Sequence, residues 1–157
     1  MPAEPLRLVF VCTGNICRSP MAEAMTRRAL ADAGLADRVT VSSVGTGDWH
    51  AGDGMDPRAA AELEASGLDS AHTAAQLATA DHSADLLVAL DRGHRGHLLD
   101  AGVDPARVRL LRSFDPAASG EDVADPYYGD RDGFTRTRSE IDAALPGLVS
   151  TVRDLLG

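Results

Sequence analysis

Apolar positions change their period several times along this chain, and each change marks an element. Leu6 to Val11 is a short, largely apolar and β-branched run, the pattern of a buried strand. Thr13-Gly14-Asn15 breaks it. Met21, Ala22, Met25, Ala29 and Ala33 then recur at helical spacing, which predicts a helix over 18–33 with Gly34 at its C-terminal cap. Val39 to Val44 reads as a second strand, and the glycine-punctuated stretch 45–54 as a loop. Asp56-Pro57 opens a helix with a capping side chain and proline at its first position; it ends near Gly67. A short helix is expected over 73–79. Leu86-Leu87-Val88-Ala89-Leu90 is apolar throughout, as in a strand covered on both faces, within a third strand over 85–90. Asp91 caps a helix running to Gly102, and 108–111 forms a fourth strand. A long loop over 112–132 precedes a last helix over 134–156, which Pro146 should kink or divide.

Strands alternating with helices predict an α/β fold: a three-layer sandwich with a central four-stranded parallel sheet and helices on both faces. At 157 residues the chain is expected to form a single domain over 1–157. Ligands in such folds bind at the carboxyl ends of strands, near the point where strand order reverses. The loop after the first strand is therefore the place to look.

Composition narrows the chemistry. All 15 basic residues are Arg, and the net charge is −9. A Lys-free chain has no Walker-A loop and forms no lysine Schiff base. Its acidic balance argues against nucleic acid and against anionic membranes as partners. No apolar run approaches the roughly 18 residues of a membrane span. The polar start of the chain does not read as a signal peptide, so a cytoplasmic location is expected, and any export would need a route without one. The two cysteines, Cys12 and Cys17, do not make a disulfide scaffold and lack the partners of a structural zinc site. His94 and His97, three apart on a helix, read as a solvated face. No metal and no cofactor are expected.

The loop Cys12-Thr13-Gly14-Asn15-Ile16-Cys17-Arg18-Ser19 places a thiol, five residues, then Arg and Ser between a strand and a helix. A tight turn at a helix N-terminus gathers backbone N–H groups into a hollow suited to a phosphate dianion. The same field stabilises the Cys12 thiolate. Gly14 permits close backbone approach, and Arg18 can grip two phosphate oxygens at once. Ser19 can donate a hydrogen bond to the sulfur. An activated nucleophile would thus face a bound phosphate.

The run from Val9 to Glu23 around this loop resembles the signature of the low-molecular-weight protein tyrosine phosphatases. Ser43 with Gly45-Thr46-Gly47 and Trp49, Val88-Ala89-Leu90-Asp91, and Asp125-Pro126-Tyr127-Tyr128-Gly129 extend the likeness over essentially the whole chain. The Gly-Thr-Gly-x-Trp-His and Leu-Arg-Ser-Phe-Asp-Pro stretches are most like the actinobacterial branch. Ala75 stands where many members carry Arg.

The resemblance implies a phosphocysteine intermediate on Cys12, with Thr13, Gly14, Asn15, Ile16, Cys17 and Ser19 lining the phosphate loop. It also implies that Asp125 protonates the leaving oxygen and then activates water. Asp125 is one of four Asp-Pro pairs; the long loop and the adjacent tyrosines single it out. Trp49, Tyr127 and Tyr128 are expected to wall the pocket, and Asn15, Ser43 and His72 to hold the loop in shape. Cys17 is expected to form a reversible disulfide with Cys12 on oxidation. Phosphotyrosine proteins are the implied substrates, a cognate tyrosine kinase acting on Tyr127 or Tyr128 is an implied partner, and a monomer is expected.

Three rival readings remain. A phosphoarginine phosphatase of this family has Thr in place of Ile16. A thioredoxin-coupled arsenate reductase needs shuttle cysteines after Cys17, and none follows. A silent phosphate-binding module would need neither the thiol nor the acid.

Overall fold

A computed structural model describes residues 4–157; residues 1–3, the start of the expected 1–157 domain, lie outside the described residues. Four strands, β1 (Leu6–Cys12), β2 (Val39–Gly45), β3 (Leu86–Ala89) and β4 (Val108–Leu110), form one sheet in the order β2-β1-β3-β4. All three pairings are parallel. Four α-helices alternate with them: α1 (Arg18–Asp32), α2 (Pro57–Ala65), α3 (Arg92–Asp100) and α4 (Arg131–Leu156).

The alternation of side chains along β1 separates two cores. Leu8, Phe10 and Cys12 face a layer that holds Met21, Leu30, Leu63, Phe134, Ile141 and Leu148 of α1, α2 and α4. Val9 and Val11 face a smaller cluster with Leu98 of α3, Val103 and Leu110. The expected three-layer sandwich is therefore present, with helices on both faces. Strand order reverses at β1, whose neighbours are β2 on one side and β3 on the other. Its carboxyl end, Cys12, sits at that switch point.

Local signals place most boundaries. Asp56 caps α2 by accepting from Arg58 N at 2.8 Å, and Pro57 is the first helical residue. Gly34 and Gly67 follow their helices at φ 76° and 75°, a conformation that favours glycine.

Three expectations change. The helix expected over 73–79 is absent. Gly45 N donates to Ala75 O, Leu77 N to Gly45 O, and Ala75 N to Asn15 Oδ1, so this backbone serves the end of β2 and the phosphate loop. A short 3-10 turn lies just beyond, at Thr79–Ser83. The fourth strand and the following loop also shift, because Leu111–Phe114 is a 3-10 turn. Finally, Pro146 does not divide α4, which runs unbroken from Arg131. Pro146 is exposed, so the carbonyl its ring leaves unpaired can meet water, while Ile141, Ala144, Leu145, Leu148 and Val149 stay buried around it.

Candidate active site

The chain leaves β1 at Cys12, turns through residues 13–17 and enters α1 at Arg18. Asn15 makes the turn in the left-handed region, at φ 58°, and is fully buried. Its side chain fixes that conformation from both ends. Nδ2 donates to Ser19 Oγ at 2.8 Å and to Ser43 Oγ at 2.9 Å, while Oδ1 accepts from Ala75 N at 2.9 Å. His72 Nε2 bonds the Asn15 carbonyl at 2.7 Å, and Ser43 donates to Glu23 at 2.7 Å. The predicted trio of Asn15, Ser43 and His72 is thus joined, with Glu23 as an added member. Ala75 contributes through its backbone, so the network does not need an Arg side chain there.

These bonds leave the loop poised for an anion. Among the described residues, the backbone N–H groups of Thr13 to Cys17 have no protein acceptor. Cys12 Sγ lies 2.8 Å from Ser19 Oγ. Ser19 Oγ accepts from Asn15 and keeps one proton that it can donate to a Cys12 thiolate. Both cysteines are reduced and buried. Burial, then the charges of Asp56, Cys12 and Asp125, pushes the Cys17 thiol up and keeps it protonated.

Arg18 is buried beside the loop, its guanidinium held by the start of α3 and by the loop that precedes α4. Nη1 donates to Asp91 and to the Val123 carbonyl, both at 2.8 Å. Nη2 donates to Thr13 Oγ1 at 3.4 Å and lies 3.7 Å from Asp125. Asp91 caps α3 by accepting from His94 N at 3.0 Å. Burial opposes its charge, but His94 N–H and Arg18 hold its carboxyl below the usual range.

His94 corrects the sequence reading. It is not on a solvated face: only 4% of it is exposed, and its Nε2 lies 2.9 Å from Thr13 Oγ1. Arg18 Nη2 donates to the same hydroxyl at 3.4 Å. Its Nδ1 lies 3.2 Å from Asp91 and, among the described residues, is buried without a hydrogen-bond partner. Desolvation first, then the Arg18 charge, lowers the His94 pKa to about 4. Asp91 and Asp125 oppose that shift, and His97 adds to it. Among the described residues no group of three or more His, Cys, Asp or Glu is placed to hold a metal.

Above the loop opens a cavity of about 340 Å³, lined by Cys12, Thr13, Gly14, Ile16, Cys17 and Arg18 below and by Trp49, His50, Asp125, Tyr127 and Tyr128 around it. All three expected wall residues are there, and His50 joins them. Tyr127 and Tyr128 pack edge to face at 4.9 Å between centroids. Asp125 accepts from Tyr127 N at 3.1 Å, which turns its carboxyl toward the cavity beside Arg18. Glu23, His50, His94, Asp56 and Arg58 were not anticipated. The cap pattern of Asp56-Pro57 flagged one of them only as a helix start.

The model for the low molecular weight phosphotyrosine protein phosphatase family matches residues 7–155. The low molecular weight protein-tyrosine phosphatase A of Mycobacterium tuberculosis is 53% identical over 98% of this chain and 96% of its own length. The low molecular weight protein-tyrosine-phosphatase of Streptomyces coelicolor is 51% identical over 94% of each. Among solved structures, the YwlE arginine phosphatase of Bacillus subtilis superposes with a TM-score of 0.84 at 31% identity, covering 94% of this chain and 96% of that one. With the cysteine loop, the buried Arg18 and the acid-bearing arm in place, this chain belongs to the low molecular weight phosphotyrosine protein phosphatase family, on its actinobacterial side.

Proposed function

We propose that this chain hydrolyses phosphotyrosine in proteins, and aryl phosphates generally, through a phosphocysteine on Cys12. The observation that carries this reading is the position of Cys12 Sγ, 2.8 Å from the Ser19 hydroxyl at the floor of a cavity whose rim carries Asp125 and three aromatic rings. The phosphate dianion sits on the N–H groups of the loop and on Arg18, which neutralise its equatorial oxygens. The sulfur attacks phosphorus as the bond to the phenolic oxygen breaks, and Asp125 delivers its proton to that oxygen. Asp125, now a carboxylate, takes a proton from water as the water oxygen attacks phosphorus and the sulfur leaves. The Ser19 hydroxyl stabilises the departing thiolate. Phosphate is released and both groups return to their starting states.

Ile16 offers an apolar floor, and Trp49, Tyr127 and Tyr128 offer flat walls, which suit an aryl ring. The likeness to an arginine phosphatase makes phosphoarginine the competing substrate. Metal-free turnover of an aryl phosphate and of phosphoarginine by wild type, Cys12→Ser and Asp125→Asn separates the two. Aryl-phosphate activity should vanish in Cys12→Ser and fall about 10² to 10⁴-fold in Asp125→Asn. Full activity in Cys12→Ser overturns the mechanism, and preferred turnover of phosphoarginine overturns the substrate assignment.

Among the described residues no helix is long and apolar enough to cross a membrane. We read the protein as a cytoplasmic monomer. Tyr128, 90% exposed at the cavity rim, is the tyrosine of the pair more open to a cognate kinase.

A further inference from the structure

The acid Asp125 lies on an arm that needs an anchor. The arm starts at Val123, pinned by Arg18 and by Val123 N donating to Leu90 O at 2.9 Å. It ends at Asp130, which precedes α4. Between them Asp125 is exposed and touches the protein through Tyr127 N and the 3.7 Å approach to Arg18. Arg58, one residue into α2 from Pro57, closes this gap. Its Nη2 donates to Tyr127 O at 2.9 Å and its Nη1 to Gly129 O at 3.0 Å. The guanidinium also lies 4.5 Å from the centroid of the Phe134 ring and 5.8 Å from that of Tyr127.

The other side of the guanidinium is fixed by Asp56. Arg58 Nε donates to Asp56 Oδ1 at 3.1 Å and Nη2 to Oδ2 at 3.0 Å, a fork on a buried carboxylate. Asp56 is in turn tied to the phosphate loop, since its N–H donates to Ile16 O at 2.8 Å. One continuous chain of bonds therefore runs from the phosphate loop through Asp56 and Arg58 to the two carbonyls that flank Tyr128. It crosses about 70 residues of sequence and meets the acid's own Asx turn.

We infer that Arg58, held by Asp56, is a positioning residue for the general acid: it sets the height of Asp125, and of the Tyr127 wall, over the phosphate loop. The guanidinium is needed because one planar group must hold a carboxylate on one edge and two carbonyls on the other, which an ammonium does not match. Arg58 does not line the cavity, so it acts through the arm and not on substrate.

This inference rests on the phosphatase reading, and leaving-group dependence tests it separately. Phenyl phosphate needs a proton on its leaving oxygen, because phenol has a pKa near 10, like Tyr. The far more acidic 2,4-dinitrophenol leaves without one. The value of kcat/KM reports the step in which that bond breaks. In Arg58→Ala, kcat/KM for phenyl phosphate should fall by about tenfold or more, and for 2,4-dinitrophenyl phosphate by about threefold or less. Arg58→Lys should show the same skew at smaller size, and it carries the comparison if Arg58→Ala folds poorly. In an Asp125→Asn background, Arg58→Ala should add little for phenyl phosphate. Equal losses for both substrates, or a full extra loss in the Asp125→Asn background, overturn the inference. Absence of Cys12-dependent turnover in the wild type would instead remove the reading beneath it.

Discussion

His94 makes stability fall as pH drops from 6.5 toward 4. The perturbation is protonation of a ring that burial keeps neutral, with Nε2 2.9 Å from the Thr13 hydroxyl and Arg18 close by. Folding lowers its pKa from 6.5 to about 4. At 1.36 kcal/mol per unit, this drop is worth about 3 kcal/mol. The sign follows from proton counts. Between these pH values the unfolded chain binds the proton and the folded chain does not, so stability is fully present above pH 6.5. It is lost as pH falls toward 4, with a slope near 1 kcal/mol per pH unit around pH 5 to 5.5. The assay is urea unfolding of wild type and His94→Asn at half-unit steps from pH 4.5 to 8. Asp91, Asp125, Arg18 and His97 face the ring in both proteins, so the difference between the two curves isolates His94. Wild-type stability should fall more steeply than that of the variant below pH 6.5. Parallel curves across that range would refute the neutral buried ring.

Two further outcomes follow from packing and exposure. A Cβ on Gly45 would meet Thr13 O at 2.6 Å and Asn15 N at 3.1 Å, and backbone atoms of the phosphate loop cannot rotate aside. Gly45→Ala should cost about 1–3 kcal/mol in thermal or urea unfolding and lower aryl-phosphate kcat/KM by about 10²-fold through loop displacement; wild-type values for both would show that the contact is relieved without moving the loop. Phosphotyrosine mapping of protein recovered from its native host should find Tyr128 modified more than Tyr127, which is 37% exposed; an unmodified Tyr128 would count against the kinase partnership.

The site divides into what local sequence encodes and what only strand order creates. The Cys12–Ser19 turn, the Asp56-Pro57 cap and the glycines after α1 and α2 are local. The cap and the glycines rest on groups within a few residues, and the turn carries its own spacing of Cys, Arg and Ser even though Ser43, His72 and Ala75 hold its shape from afar, so periodicity and side-chain chemistry predict them. The segment 73–79 failed because its propensity is weak and its backbone partners, Gly45 and Asn15, lie some 30 and 60 residues away. His94 failed for a related reason. Its position on α3 reads as a helix face, and its burial follows from β3 lying beside β1, which brings α3's N-terminus against Thr13 across 81 residues. A periodic pattern states which residues share a face but not what that face will meet.

Strand order also explains why the residues missed in sequence cluster where they do. With β1 flanked by β2 and β3, the loop after each neighbouring strand must pass beside the loop after β1. The end of β2 supplies Gly45 beneath the phosphate loop, Trp49 and His50 on its rim, and then Asp56 and Arg58 beyond. The end of β3 supplies Asp91 and His94 under Arg18. These groups carry few local signatures because their work is to touch another segment. Asp56 and Arg58 show this most clearly: their helix cap is visible in sequence, yet the same two side chains also join the phosphate loop to the arm bearing Asp125. A residue can satisfy its local signal completely and still have its functional contact elsewhere. Reading a cap as only a cap therefore undercounts the residues through which a parallel-sheet fold assembles its site.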